Sequence, residues 1–387
     1  MVTSLPRILV LIDHYLPGNK AGGPVRSVAN LVESLSDCFS FWIVTKDRDW
    51  LDSSPYCGVS VNSWTQVGRA MVHYTAPGSF SLGMVKQISA DVNPDVIYLN
   101  SLFSTDSIRY LGWRRLGLLP DTPVVLAPRG QLSPGALRLK WLKKRVFISL
   151  ASRLGLLDGL VWQATSPLEE RDISVCVGNR ARSVFAPNIP GSCDVLSRQT
   201  SRSAKQPGRM SLVYLSRITP KKNLSYALER LRRVRGDVRF DIYGSADPES
   251  YWQTCQSLLT SLPQNVQVEY RGNLPNERVV ETLLGYDFFF LSTLGENFGH
   301  AIFESFTAGC PVLISDQTPW RNLADRELGW DISLDDPDRW VSVLHECIEM
   351  DAERHVRMSR ACSDFAGEWL RSSGVIDKTI TLFRGAA

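Results

Sequence analysis

The sequence predicts an α/β protein built as two doubly wound parallel-sheet domains. Three observations predict it. Short apolar runs alternate with stretches of helical period through the N-terminal half. The same alternation restarts near residue 211, after a polar, Ser-rich stretch from Cys193 to Gly208. A chain of 387 residues is long for one core and natural for two.

The elements follow in order. Strands are expected at 7–13, 40–45, 95–99, 123–127 and 160–164, with helices near 25–36, 82–91, 104–117 and 135–154. The first strand, Ile8-Leu9-Val10-Leu11-Ile12, is an unbroken aliphatic run, as a strand covered on both faces requires. The second series places strands near 211–215, 238–243, 267–271, 287–291 and 312–315, and a helix-like tail over roughly 365–387. Residues 1–192 are therefore read as an N-terminal domain, 193–210 as a linker, 211–365 as a C-terminal domain and 366–387 as a C-terminal helix. In such folds ligands bind at the carboxyl ends of the strands, so two Rossmann-like domains are expected to face a central cleft.

Composition bounds the function. The chain is 44% hydrophobic and 21% charged, as ordinary globular proteins are. No apolar run approaches the ~18–20 residues that span a bilayer. Met1 to Arg7 lacks an export signal, so a cytoplasmic protein is expected. Eight scattered cysteines with no Cys-x-x-Cys pair argue against disulfide or metal frameworks and for reduced thiols.

The most telling segment is Gly295-Glu296-Asn297-Phe298-Gly299-His300-Ala301-Ile302-Phe303-Glu304. It follows the apolar run Asp287-Phe288-Phe289-Phe290-Leu291, read as a buried strand. Ile302 and Phe306 share a helical face, and Gly309 then Pro311 mark the helix end. Strand, loop and helix N-terminus together suit a phosphate. Glu296 and Glu304, as pure acceptors, suit sugar or ribose hydroxyls. An ordinary strand-loop-helix with two solvated glutamates is the other reading. A second segment shifts the balance. Ser211-Leu212-Val213-Tyr214-Leu215 reads as a strand and leads to Ser216-Arg217-Ile218-Thr219-Pro220-Lys221-Lys222-Asn223. Arg217 and Lys222 flank one turn, where a guanidinium fork and an ammonium can meet one anion.

With these motifs the chain resembles glycosyltransferase family 4, the large group of retaining enzymes with the GT-B fold, of the bacterial surface-polysaccharide type. The resemblance implies that Arg217 and Lys222 hold the donor diphosphate. It implies that Glu296 lies near the donor sugar and Glu304 near the ribose. It also implies that Asn297, Phe298, Gly299 and His300 line the donor site. Pro17 to Pro24, with Gly22-Gly23 opening the first helix, matches the family's N-terminal glycine loop, and Pro187-Asn188 resembles its Pro-Asn-Gly turn. The last helix is expected to cross back to the first domain. The implied activity is metal-independent transfer of a hexose-type sugar from a UDP- or GDP-sugar to a saccharide, lipid-linked by expectation, in polysaccharide biosynthesis. A nucleotide-sugar 2-epimerase and a non-catalytic GT-B scaffold are the alternatives.

No Asp-x-Asp sits in a loop suited to a metal; Asp335-Asp336-Pro337-Asp338 reads as the cap of a helix starting near Pro337. Arg217, Lys222 and a helix N-terminus can stabilise a leaving diphosphate without one, so no cofactor is expected. One departure matters. Where many family members carry a His after an N-terminal-domain strand, Val124-Val125-Leu126-Ala127-Pro128-Arg129-Gly130 has Arg129. An arginine stays protonated and cannot serve as a base. A front-face route, in which the leaving phosphate takes the acceptor's proton, is implied by the family. Arg129, His14 and Asn100 are the candidate contacts to acceptor or sugar, and His300 sits where a helix N-terminus favours a neutral ring. Ser315-Asp316-Gln317-Thr318-Pro319-Trp320 either shapes the donor pocket or forms a buried turn.

The net charge is +3, and residues 1–195 hold 20 Lys and Arg against 15 Asp and Glu. Ala136 to Leu157 carries six cations and no acid, with Trp141, Leu142, Phe147 and Ile148 interleaved. This reads either as a solvated helix packed on the core or as a basic amphipathic helix making a peripheral membrane contact through 136–157. The second reading places the protein at the inner face of a membrane. No nucleic-acid motif accompanies the charge.

Overall fold

The computed structural model describes residues 5–138, 141–178, 181–191 and 204–387. It contains two units, Met1–Ile189 with Gly374–Ala387, and Pro190–Ser373.

In the N-terminal unit the strands are β1 (Arg7–Ile12), β2 (Ser40–Lys46), β3 (Trp64–Val67), β4 (Ala70–Thr75), β5 (Val96–Asn100), β6 (Val124–Ala127), β7 (Leu160–Ala164) and β8 (Arg182–Phe185). The helices are α1 (Gly23–Leu35), α2 (Leu82–Val92), α3 (Thr105–Arg115), α4 (Pro134–Arg138), α5 (Trp141–Arg153) and α6 (Pro167–Val177). The sheet order is β3-β4-β2-β1-β5-β6-β7-β8. Only the edge pair β3–β4 is antiparallel. Every residue of β5, β6 and β7 is buried, as strands covered on both faces must be. Because β1 lies between β2 and β5, the winding reverses there, and the carboxyl ends of β1 and β5 form the switch point where such sheets bind ligands.

The C-terminal unit repeats the plan with β9 (Arg209–Leu215), β10 (Asp237–Tyr243), β11 (Val266–Gly272), β12 (Phe288–Leu291), β13 (Val312–Ser315) and β14 (Gly329–Ile332). Its helices are α7 (Leu224–Leu231), α8 (Glu249–Leu259), α9 (Val279–Leu283), α10 (His300–Thr307), α11 (Pro337–Glu349) and α12 (Ala352–Ser372). The order β11-β10-β9-β12-β13-β14 puts the switch point between β9 and β12. Phe288, Phe289, Phe290 and Leu291 are all essentially inaccessible, so an aromatic strand fills the centre of this core. Asp336 caps α11 by accepting from the Arg339 N–H, with Pro337 at the first helical position.

Three expectations need correction. The strands β3, β4, β8 and β14 and the helix α6 lie outside the expected series. The β3 strand, Trp64-Thr65-Gln66-Val67, is short, lies at the sheet edge and holds no fully buried residue, so no apolar run announces it. The two-residue Gly68-Arg69 turn, with Gly68 at φ 56°, folds it back onto β4. The helix expected over 135–154 is described as α4 and α5, residues 139–140 between them lying outside the described residues, and its end comes from Gly155 at φ 68°, with the Leu156 N–H donating back to the Ala151 carbonyl. Residues 193–203 of the expected linker lie outside the described residues. The rest is not loose: the buried Lys205 ammonium donates to the carbonyls of Gln206 (2.9 Å) and Ile348 (2.9 Å), fastening this stretch to the C-terminal unit. The tail is two helices. The C-terminal unit keeps α12 to Ser372, beyond the expected boundary at 365, and Gly374 at φ 60° breaks the helix before α13 (Val375–Arg384). This last helix belongs to the N-terminal unit, where Phe383 is buried against Phe39 (ring centroids 5.6 Å) and Tyr98 (5.2 Å).

Candidate functional site

The two motifs of the C-terminal unit meet at its switch point. β9 and β12 are hydrogen-bonded neighbours, with Phe288 opposite Leu212, so the loops that leave them run side by side. Polar bonds knit these loops together. The Leu294 N–H donates to the Lys221 carbonyl at 2.8 Å, and the Ser292 hydroxyl donates to the Asn223 carbonyl at 2.8 Å. Across them Lys222 Nζ forms an ion pair with Glu296 Oε1. Both side chains are mostly buried, at 16% and 13% exposure, so this pair is less screened than a surface one. Burial pulls the Arg217 guanidinium below its usual value, while Glu296 and Asp247 act to hold it charged. The sequence motif Arg-x(4)-Lys and the first glutamate of Glu-x(7)-Glu are therefore one electrostatic cluster.

The loop after β12 ends in a helix N-terminus. Gly299 caps α10 at φ 78°, a left-handed conformation that glycine adopts without a side-chain penalty. Ile302 and Phe306 face the core, as their spacing predicts, and Glu304 is buried on the same helix at 7% exposure. The position of this loop is set from beneath. The Trp320 indole N–H donates to the Phe298 carbonyl at 2.5 Å, and the Phe298 ring packs on Trp320 (5.4 Å) and Trp369 (5.7 Å). In a trans peptide the C=O and the following N–H point opposite ways. Pinning the Phe298 carbonyl inward therefore turns the Gly299 N–H away from the aromatic cluster, toward the open side of the loop. The Glu296 N–H donates to the Gln317 carbonyl at 2.9 Å. The segment from Ser315 to Trp320, with Ser315, Thr318 and Trp320 buried and Gln317 exposed, thus supports the glutamate loop.

Sequence reasoning missed one support. Gly244, directly after β10, has φ 139°, and a Cβ there would lie 1.9 Å from the Ser216 carbonyl oxygen. Its absence lets the loop after β10 close onto the Arg217 loop, where the Ile218 N–H donates to the Ser245 carbonyl at 2.8 Å. A glycine immediately after an apolar strand was the available signal.

At the switch point of the N-terminal unit a second polar cluster forms. Arg129, in the left-handed region at φ 54°, donates through Nη2 to Asn100 Oδ1 (2.7 Å) and to the Tyr98 hydroxyl (2.8 Å), and through Nη1 to Asn188 Oδ1. It is no surface arginine. Its partners are neutral, and among the described residues no carboxylate pairs with it within 4 Å. The nearby Glu169 carboxylate is taken by the Gly130 N–H (2.7 Å) and the Thr165 N–H (2.9 Å). The Asn100 side-chain nitrogen is buried with no acceptor. Arg129 and the Pro187-Asn188 turn, separate signals in the sequence, are thus joined. His14 lies after β1, its Nδ1 3.0 Å from the Arg48 carbonyl and its ring edge-on to Trp50 (5.7 Å). Gly22 caps α1 at φ 76° and Gly23 opens it. These residues belong to the N-terminal unit, and Arg217, Lys222, Glu296, Asn297, Phe298, Gly299, His300 and Glu304 belong to the C-terminal one.

Comparison with known proteins bears on the fold. Residues 197–362 match the family model of glycosyl transferases, group 1. Three solved structures are similar along the whole chain. HepE from Anabaena, in complex with UDP and glucose, is 14% identical with a TM-score of 0.70, covering 97% of this chain and 99% of that one. The sucrose-phosphate synthase of Thermosynechococcus elongatus is 14% identical with a TM-score of 0.76 and 98% coverage of both chains. WaaG, a glycosyltransferase involved in lipopolysaccharide biosynthesis, is 13% identical with a TM-score of 0.68, covering 98% of this chain and 100% of its own. No curated protein sequence matches. The fold is that of the GT-B glycosyltransferases.

Proposed function

We propose that the protein is a retaining glycosyltransferase that moves a hexose-type sugar from a nucleotide-sugar to a saccharide acceptor in polysaccharide biosynthesis. The observation that carries this reading is the cluster at the β9–β12 switch point: Arg217, Lys222 and the N-terminus of α10 beside Glu296. Two cations and oriented N–H groups suit a diphosphate whose charge grows as it leaves. Glu296 and Glu304 suit hydroxyls of the sugar and ribose. In the proposed step the bond between the anomeric carbon and the diphosphate oxygen breaks. The acceptor oxygen bonds that carbon on the same face, and its proton passes to the leaving phosphate oxygen. Arg217 and Lys222 stabilise the departing charge, and no metal is required. The acceptor is proposed to be lipid-linked, with a peripheral membrane contact made by the 136–157 region. Arg129, Asn100 and His14 are the proposed acceptor-side contacts.

The donor is tested first by thermal shift with UDP, GDP, ADP, CMP and their sugars. The relative HepE is solved with UDP and glucose, so uridine nucleotides come first. A nucleotide at a hundred times its Kd stabilises the folded state by about 2.7 kcal/mol. No shift with any nucleotide, in folded protein, would remove the donor-site reading. Incubation with donor alone separates transfer from epimerisation, since an epimerase needs no acceptor. Activity in EDTA is expected to equal that in magnesium; activity restored only by magnesium or manganese would end the metal-free proposal.

A further inference from the structure

The α5 helix has an outward face that no described residue covers. Leu142, Val146 and Leu150 are 60%, 57% and 53% exposed at a spacing of four, and Leu154 continues the row at 53%. Residues four apart form one ridge on a helix. Of the apolar residues the sequence singled out, Leu142 lies on this row. Phe147 and Ile148 face inward, Phe147 against Phe103 at 5.7 Å and Ile148 in the core at 7% exposure. The helix is thus apolar on two sides, and packing explains only one of them.

The other exposed residues of α5 are Lys143, Arg145, Ser149, Ser152 and Arg153, three cations and no acid. The ridge extends beyond the helix. Arg115 Nε donates to the Leu154 carbonyl at 2.8 Å, which brings the turn after α3 alongside, with Leu116 at 72% and Leu118 at 39% exposure. Two acids lie at the Leu154 end: Asp158, whose carboxylate sits against Gly155, and Asp121, 3.9 Å from Arg114.

We propose that this ridge, from Leu142 to Leu154 with Leu116 and Leu118, is the surface by which the protein lies on an anionic lipid bilayer. Aliphatic side chains enter the boundary between headgroups and chains, while Lys143, Arg145 and Arg153 meet lipid phosphates. Charge selects this occupant over a second copy of the chain. A two-fold interface sets a patch against itself, and here that would bring like cations together across a shared apolar strip. No described helix is long and apolar enough to cross a membrane, so the contact is one of lying on the surface. The inference rests on the membrane part of the proposed function and is independent of its donor site.

Vesicle flotation of the full chain tests it, with phosphatidylcholine alone and with phosphatidylcholine mixed with phosphatidylglycerol. The wild type is expected to float with the anionic vesicles and not with the neutral ones. The Leu142→Ser/Leu150→Ser variant is expected to lose at least about ten-fold in affinity. The Lys143→Glu/Arg145→Glu variant is expected to lose about five-fold or more per cation, and added salt to weaken the wild type. All four positions are exposed, so melting temperatures should match the wild type and exclude unfolding as a cause. Equal flotation on both lipids, no flotation on either, or flotation unchanged in the leucine variant would overturn the proposal. So would a dimer, seen by ultracentrifugation, that the leucine variant dissolves. UDP binding measured in solution on the same proteins reports separately on the donor site.

Discussion

Lys222 and Glu296 hold opposite charges where a diphosphate and a sugar are proposed to sit, so any donor must share or separate that pair. Lys222→Ala should lower turnover about a hundred-fold, as loss of one group that stabilises transition-state charge does. It should also cost stability, because it leaves a mostly buried carboxylate unpaired. Glu296→Gln keeps the shape and the acceptor oxygen while removing the charge, and about the same loss of kcat is expected with a smaller fall in melting temperature than Lys222→Ala, because the amide oxygen can still accept from the Lys222 ammonium. Wild-type turnover in both would end this site assignment. Trp320 acts at one remove. Trp320→Phe keeps the ring among Phe298 and Trp369 but removes the N–H that turns the Gly299 amide outward. About ten-fold weaker UDP binding with an unchanged melting temperature is expected, measured by calorimetry; equal binding would show that the bond is only structural. At this scale the meeting of Arg217, Lys222 and Glu296 was legible in the sequence, because their charges follow two strands that become neighbours. The indole bond to Phe298 was not, since a tryptophan's hydrogen-bond partner depends on tertiary packing.

Elements position these residues, and their turns carry the constraint. Gly244→Ala would drive a methyl group into the Ser216 carbonyl and displace the Arg217 loop. A loss of about 2 kcal/mol or more is expected in chemical denaturation, with nucleotide affinity falling as well. On the N-terminal side α6 supports the Arg129 turn: Ser166 caps it and Glu169 receives the Gly130 N–H. Its half-buried Asp172 is pushed up to about 6, first by burial and then by Glu169. The folded chain therefore holds this proton more tightly than the unfolded chain, whose value is near 3.8. The stability gained from protonated Asp172 is complete below about pH 4 and is lost as pH rises through 6. Asp172→Asn should match the wild type near pH 4 and be more stable by about 1 kcal/mol at pH 8, a figure reduced for partial exposure. Melting curves across that range check the sign. Most parallel strands were readable as apolar runs, but the parallel β4, β8 and β14 and the antiparallel β3 were not; β3 and β8 are edge strands of four residues whose exposed positions carry no such signature.

At the scale of the molecule, two units of one plan are stitched by a chain that leaves the first, builds the second and returns. The alternation and the restart near 211 made this plan legible. The return point was misplaced by several residues because α12 runs on past the expected boundary until Gly374, and a 3.6-residue period does not show where one helix hands over to the next. Phe383→Ala should test the return. Its ring is buried between Phe39 and Tyr98, so about 3–5 kcal/mol should be lost from the N-terminal unit alone. Two-step unfolding, with only one transition shifted, would show it; a shift in both would mean that the units melt together.

That return has a consequence for the order in which the protein is made. Residues 190–373 leave the ribosome before the helix that completes the first unit exists. The half synthesised first is therefore finished last. Until Gly374 and the residues after it emerge, Phe39 and the Tyr98 ring, whose hydroxyl receives the Arg129 guanidinium, lack the Phe383 ring that packs on them. A nascent chain halted at residue 373 should present a folded second unit beside an incomplete first one, protected from proteolysis only in part. On the growing chain, competence for the proposed nucleotide site precedes competence for the acceptor side.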